Sequence, residues 1–286
     1  MLDFIVDKDF GKLNVGRYLR TYCSVSARTL AKLKRIQGAI LLNDEPARAI
    51  DAVKLGDKIS IKIPSGISEG VVPVDIPVEV VYDDEYIIVL NKPPFMPVHP
   101  TKIHQDDTLA NALCFYAQSR GEQYTFHAVN RLDRNTSGLV IVAKDRHTAS
   151  IMSQQSIVKH YTAFVMGKIS EKGTVNAPIA LSENSKIVRS VTPTGKIAIT
   201  HYEPITSKED FTVLKLILET GRTHQIRCHM SYIGHPLLGD DLYGGSLESI
   251  NRHALHCGYV SFNHPITDEF IELSIYLPDD MKILFI

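Results

Sequence analysis

Three segments of the chain bring together side chains whose types and spacing could do chemistry. In the first, Asn130-Arg131-Leu132-Asp133-Arg134-Asn135-Thr136-Ser137-Gly138 leads directly into the apolar run LVIVA at 139–143. A polar loop anchored by a buried strand can hold a carboxylate rigidly, so Asp133 is well placed. Thr136 and Ser137 add hydroxyls, and Gly138 permits a sharp turn. An aspartate that only accepts amides of its own turn fits the same pattern.

The second segment, TGRTHQIRCH at 220–229, follows the apolar run VLKLILE. Thr223 can cap a helix whose Ile226, Met230 and Ile233 form one apolar face, closed by Gly234 and Pro236. Arg222 then sits at a strand-to-helix turn, where a guanidinium could grip a carboxylate or phosphate through two hydrogen bonds. In the third segment, KHYTA at 159–163, alternation sends Tyr161, Ala163 and Val165 to one strand face. Tyr161 reads either as a core aromatic or as a ring that stacks on a base with its hydroxyl in a site.

Metal chemistry is the competing reading of the C-terminal third, where His224, Cys228, His229, His253, His256 and Cys257 crowd together. No HExxH, no paired CxxC and no four-ligand spacing accompanies them, so no metal site is expected. The glycines match neither a phosphate-binding loop nor GxGxxG, and no nucleotide cofactor is indicated.

The elements that must position these residues fall into two units. Residues 26–37 (SARTLAKLKRIQ) space Leu30, Leu33 and Ile36 or Gln37 at helical intervals, with Ser26 as N-cap and Gly38 as stop. Arg28, Lys32, Lys34 and Arg35 take the other faces. AILLN, a turn at Asn43-Asp44 and the alternating KISIKI predict two short strands around a loop. Residues 1–64 hold 12 Lys and Arg against 7 Asp and Glu, although the whole chain has net charge −1. That basic end suits a polyanion. A Gly/Pro/Ser-rich linker is expected at 65–77, and a larger domain at 78–286. There, strands are predicted around Asp83-Asp84-Glu85, at 138–144, from Tyr161, and at 197–205, 211–219 and 269–277. Helices are predicted from Thr108 and from Asp145 to about Val158. Strands outnumber helices without regular interleaving, which predicts an α+β fold with a mixed, largely antiparallel central sheet flanked by helices.

Composition bounds the rest. The 286 residues are 44% hydrophobic and 22% charged, enough to bury a core, and no apolar run reaches membrane-spanning length. No apolar leader opens the sequence and the four cysteines are scattered, so a cytoplasmic protein with reduced thiols is expected, a monomer by default with no obligate protein partner.

Taken together, RLDRNTSGLVIVAK (131–144), KHYTAFVMG (159–167), GRTHQIRCH (221–229) with GHPLLGDDLYG (234–244), DEYIIVLNKPPFMPVHPT (84–101) and the tail 255–279 resemble the RluA-type RNA pseudouridine synthases. Residues 13–63 resemble the alpha-L RNA-binding module found in a small-subunit ribosomal protein. The resemblance implies the pseudouridine synthase fold behind a small α/β RNA-binding module. It implies an RNA substrate, ribosomal RNA first and transfer RNA second, and no cofactor. It assigns Asp133 as the catalytic carboxylate, attacking the nucleoside or removing a sugar proton. Arg222 is expected to hold that carboxylate charged, Tyr161 to stack on the uracil and take the carbon 5 proton, and Leu273 to wall the pocket. Arg131 would fill the place of the flipped base, and Arg28, Lys32, Lys34 and Arg35 would contact phosphates. The chain departs from the family at Asn130, where His is usual. A non-catalytic RNA-binding or ribosome-assembly factor on this fold is the alternative.

Overall fold

The structure, a computed structural model, describes residues 1–23, 25–62, 71–123 and 125–285, with Arg28 described as backbone alone. Its N-terminal elements are β1 (Leu2–Ile5), α1 (Val15–Thr21), α2 (Ala27–Leu33), β2 (Ile40–Leu42), β3 (Glu45–Pro46) and β4 (Lys58–Ile61). The strands form one antiparallel sheet in the order β1-β4-β2-β3. Val15, Leu19, Leu30, Leu33, Ile59 and Ile61 make its core. Ser26 caps α2 as expected, its hydroxyl accepting the Thr29 amide at 3.1 Å. The helix stops at Leu33 rather than Gln37, because Arg35 and Ile36 tighten into i→i+3 bonds that lead to Gly38 at φ +72°. Asn43 and Asp44, at φ 53° and 66°, form the two-residue β2–β3 turn. β1 and α1 were not predicted, being too short to carry a clear periodic signal.

The larger body contains β5 (Glu79–Asp83), β6 (Ile87–Lys92), α3 (Leu109–Ser119), β7 (His127–Ala128), β8 (Ser137–Ala143), α4 (Arg146–Met152), β9 (Val158–Met166) and β10 (Gly173–Asn176). It continues with β11 (Ile179–Leu181), β12 (Arg189–Val191), β13 (Ile199–Ser207), β14 (Phe211–Leu218), α5 (Gln225–Tyr232), β15 (Leu255–Asn263), β16 (Phe270–Ser274) and α6 (Asp279–Lys282). One sheet runs β10-β13-β14-β9-β15-β8-β6-β5, with β16 added on β15 and β7 on β8. Among the described residues, β15 with β8 is its single parallel pair. This is the expected mixed, largely antiparallel sheet. β8 is buried at every position, which is why its sequence is continuously apolar rather than alternating. Thr108 and Asn111 close a capping box on α3, and Asp145 caps α4 by accepting the His147 and Thr148 amides. α4 ends at Met152, not near Val158, because Val158 already opens β9.

Of the expected linker, residues 65–70 lie outside the described residues. Residues 71–77 are fastened to the larger body: Val71 and Ile76 pack on its core, and Asn111 Nδ2 donates to the Val72 carbonyl at 2.7 Å.

Gly138, the second residue of β8, has φ +122°, and a Cβ there would overlap the Cys257 carbonyl of β15. The parallel contact that seats the Asp133 loop therefore requires glycine. Gly138→Ala is expected to cost about 3 kcal/mol or more, from strain and the forced separation of β8 and β15. Urea denaturation measures it, and a loss near zero would mean that the two strands yield freely.

Candidate active site

The loop 130–137 hangs between β7 and β8 and is fastened residue by residue. Thr136 donates its amide to the Asp133 carbonyl at 3.1 Å, closing a tight turn. Lys92 Nζ, fully buried, donates to the carbonyls of Pro93, Met96 and Arg134. Arg252 Nη1 donates to the Asn135 carbonyl at 3.1 Å, while Asp280 holds the rest of that guanidinium. Thr136 Oγ1 lies 2.7 Å from His253 Nε2, and Ser137 Oγ lies 2.9 Å from His256 Nδ1. Burial pushes Lys92 down to about 7, His253 to about 2 and His256 to about 4. The loop is thus held by direct hydrogen bonds from these side chains. Asn130 belongs to the same scaffold. Its side chain accepts the Ile141 amide at 2.8 Å and donates to the Leu139 carbonyl at 3.1 Å, extending the β8 ladder by one link.

Asp133 projects from this scaffold with its side chain 27% exposed. The arginine beside it is Arg227: Nη1 is 3.4 Å from Asp133 Oδ2. The role expected of Arg222 in holding the carboxylate is therefore corrected. Arg222 is exposed, its Nε donates to the Ile197 carbonyl at 3.0 Å, and it lines the same pocket. The expected Thr223 cap is also replaced. His224 occupies that position at φ 57° with no capping side chain, and Gln225 Oε1 accepts the Arg222 amide at 2.9 Å. This turn brings Arg227, in the first helical turn of α5, to the carboxylate.

Arg227 is itself anchored. Its Nε and Nη2 make 2.7 Å bonds to the two carboxylate oxygens of Asp240, whose side chain is 0% exposed. Its guanidinium carbon stands 4.9 Å from the Tyr243 ring centroid. Burial alone would lower its pKa, but Asp240 and then Asp133 outweigh that effect and raise it. A permanently charged guanidinium thus spans a buried acid and a pocket acid, leaving Nη1 for Asp133. His224 Nε2 lies 3.7 Å from the same oxygen, Asp133 Oδ2, and Nδ1 is 3.0 Å from the Tyr243 hydroxyl.

Tyr161, on β9 and 7% exposed, lines the same pocket, with Leu218, Ile226 and Leu255 as apolar walls. Burial, then the neighbouring Cys257, then the Asp133 charge push its phenol well above its ordinary pKa. It is a neutral ring and a poor proton acceptor in this state. Leu273, expected in the pocket wall, lies instead on β16 opposite Val260 and packs against the main core. Leu255, on the neighbouring strand, takes that wall position. Arg131 is exposed at the pocket rim, and Lys32, Lys34 and Arg35 are exposed on the N-terminal body. The Arg28 side chain lies outside the described residues.

Sequence reasoning missed Arg227, Asp240 and Tyr243 and saw His224 only as a metal candidate. The reason is visible only in the folded chain: residues 225–230 are buried without interruption, so a charged member of that helix needs a buried counter-charge. No periodicity shows it in advance. The His/Cys crowd is dispersed into separate hydrogen bonds. His229, for example, bridges Thr200 and the Ala177 carbonyl. Among the described residues no group of three or more His, Cys, Asp or Glu is arranged to hold a metal.

Comparison with known proteins agrees with this arrangement. The family model for RNA pseudouridylate synthase matches residues 86–232. The chain is 41% identical over 264 residues to the uncharacterized RNA pseudouridine synthase YjbO of Bacillus subtilis, covering 90% of this chain and 93% of that protein. It is 38% identical over 225 residues to ribosomal large subunit pseudouridine synthase D of Vibrio cholerae, covering 72% and 69%. Human RNA pseudouridylate synthase domain containing 1 shares the fold, with a TM-score of 0.58 at 24% identity over 71% of this chain and 84% of that one. A carboxylate–arginine pocket on such a sheet, matched over most of its length by proteins of one kind, leads to one conclusion: the chain belongs to the RluA-type RNA pseudouridine synthases, isomerases that act on RNA.

Proposed function

We propose that the protein converts uridines of large-subunit ribosomal RNA to pseudouridine, with Asp133 as the catalytic carboxylate. The observation that carries this reading is the Asp133–Arg227 pair at 3.4 Å, set in a pocket with the buried Tyr161 ring. An ionised carboxylate is needed whether it attacks the nucleoside or removes a sugar proton, and Arg227 supplies the counter-charge. The bond between uracil N1 and the sugar then breaks, the uracil turns while held against Tyr161, carbon 5 bonds to the same sugar carbon, and the proton that carbon 5 loses is balanced by one gained at N1. No cofactor takes part. Tyr161 serves as the packing face for the base, and its raised pKa argues against it as a ready base for the carbon 5 proton. Arg222, exposed on the rim, is placed to meet a phosphate of the flipped nucleotide.

A stacked uridine cannot reach Asp133, so the nucleotide must be flipped at a cost of a few kcal/mol. Arg131 at the rim fills the vacated place, and the N-terminal body, an alpha-L-like RNA-binding module, offsets part of the cost through phosphate contacts. Ribosomal RNA is the favoured substrate because relatives named for large-subunit modification match most of the chain. The working compartment is then the cytoplasm and the working form a monomer.

Mapping pseudouridines in total RNA with and without the protein tests the reading, followed by reconstitution on ribosomal and transfer RNA transcripts. Loss of specific large-subunit sites is expected. Loss confined to transfer RNA assigns the enzyme there instead, and an unchanged map rejects the activity. Replacing Lys32, Lys34 and Arg35 together by Ala should lower the slope of log K against log salt by about 2 to 3, since each lost phosphate contact removes about 0.7–0.9. Filter binding at several salt concentrations reads this, and an unchanged slope removes these side chains from the RNA interface.

A further inference from the structure

Tyr243 stands behind both groups that face Asp133. Its ring lies over the Arg227 guanidinium at 4.9 Å, and its hydroxyl is 3.0 Å from His224 Nδ1. It is fixed from three sides. The Arg189 amide donates to its hydroxyl at 2.9 Å, Ser231 Oγ donates to its carbonyl at 2.8 Å, and it is 9% exposed. His224 is held as firmly, as the left-handed residue that starts α5, with its ring edge-on to Tyr243.

These contacts bear on which nitrogen of His224 carries the proton. A carboxylate can only accept, so a neutral imidazole that donates to Asp133 carries its proton on Nε2. Nδ1 is then the acceptor. The Tyr243 hydroxyl, whose lone pair takes the Arg189 amide, has its one proton free to donate to Nδ1. We propose that His224 is a positioning residue for the reaction: Tyr243 fixes its Nε2–H tautomer, and that N–H, beside Arg227, steers the Asp133 carboxylate toward the nucleoside. The inference rests on the reading of Asp133 as the catalytic group.

The charged groups around His224 are Asp133 and Asp240, Arg227 and Arg189. Burial lowers its pKa more strongly than Asp133 raises it, which keeps the ring neutral and the tautomer defined. The 3.7 Å separation from Asp133 Oδ2 is longer than a hydrogen bond. Such contacts are commonly loose without substrate and tighten when it binds. Arg227 neutralises the acid but meets it through one nitrogen, leaving the carboxylate free to rotate about that contact. A second donor to the same oxygen limits this freedom, and correct orientation matters at the bond-making step.

The test combines NMR of the full-length protein labelled with 15N-histidine and single-turnover kinetics on the mapped RNA. His224, assigned by its loss in His224→Gln, should show a protonated Nε2 and an unprotonated Nδ1 at neutral pH, and Tyr243→Phe should abolish that preference. His224→Ala should lower the rate of conversion by about tenfold to a hundredfold, the scale of a hydrogen bond to a charged group, with RNA affinity unchanged. His224→Gln, which keeps an N–H at similar reach, should recover most of the rate. A wild-type Nδ1–H tautomer overturns the proposal. So does a His224→Gln as slow as His224→Ala, or a defect lying in RNA affinity alone. If the wild-type protein converts no RNA, the functional reading fails, and the tautomer still decides the His224–Tyr243 geometry.

Discussion

Asp133→Ala should reduce pseudouridine formation by about ten-thousandfold or more, the scale on which loss of a reacting side chain acts. Folding and RNA binding should persist. Asp133 is partly exposed, its carboxylate meets Arg227 at 3.4 Å and His224 at 3.7 Å, and Arg227 keeps both of its bonds to Asp240 when Asp133 is gone. The stability change should therefore stay below about 1 kcal/mol. Asp133→Asn should be equally inactive, since it keeps the shape and removes the charge on which either chemical route depends. Quantifying pseudouridine in a purified transcript, beside thermal unfolding and RNA binding of the same samples, separates chemistry from folding. Activity surviving in either variant withdraws Asp133 from its assigned role.

Arg227→Met should have the second largest effect, and it should act twice. Removing the guanidinium leaves Asp240 charged, fully buried and unpaired, which costs about 3–5 kcal/mol. It also strips Asp133 of the guanidinium that faces its carboxylate at 3.4 Å. The two effects come apart in the double variant Arg227→Met with Asp240→Asn. Neutralising both buried partners should restore much of the stability, because no uncompensated charge remains, while activity stays lost. Arg227→Lys should rescue poorly, because one ammonium cannot bond both Asp240 oxygens in plane and also reach Asp133. Arg222→Met supplies the contrast. That side chain is exposed and bonded to one carbonyl, so its loss should leave stability nearly unchanged and weaken RNA binding more than chemistry. If Arg222→Met instead matched Arg227→Met in stability and rate, the assignment of the two arginines would have to be reversed.

The pairing of these arginines shows where sequence reading reaches its limit. Both occur in GRTHQIR, and both have the chemistry to hold a carboxylate. The strand-to-helix turn drew attention to Arg222, the residue at the junction. The helix starts one residue later than expected, after a left-handed His224, which leaves Arg222 in the exposed turn before it and Arg227 in the stretch 225–230 that is buried on every face. With no single apolar face over that stretch, periodicity does not mark Arg227 as the inward arginine. Leu273 and Leu255 were exchanged for a related reason: both occupy strands adjacent in the sheet, and alternation alone does not say which strand borders the pocket.

Sequence alone determined the features set by local or continuous patterns. The unbroken apolar run of β8 meant a central strand, Ser26, Thr108 and Asp145 marked helix starts, and the loop before β8 marked Asp133. These follow from short-range hydrogen bonding and from solvent exclusion along one segment. The tertiary structure alone decided which charges meet. Asp133 and Arg227 are 94 residues apart, Asn135 and Arg252 are 117 apart, and neither pairing leaves a periodic trace. Ion pairs and buried hydrogen bonds depend on distances of a few ångströms that are set once the sheet closes β15 against β8, so their partners become definite only when the whole core is packed.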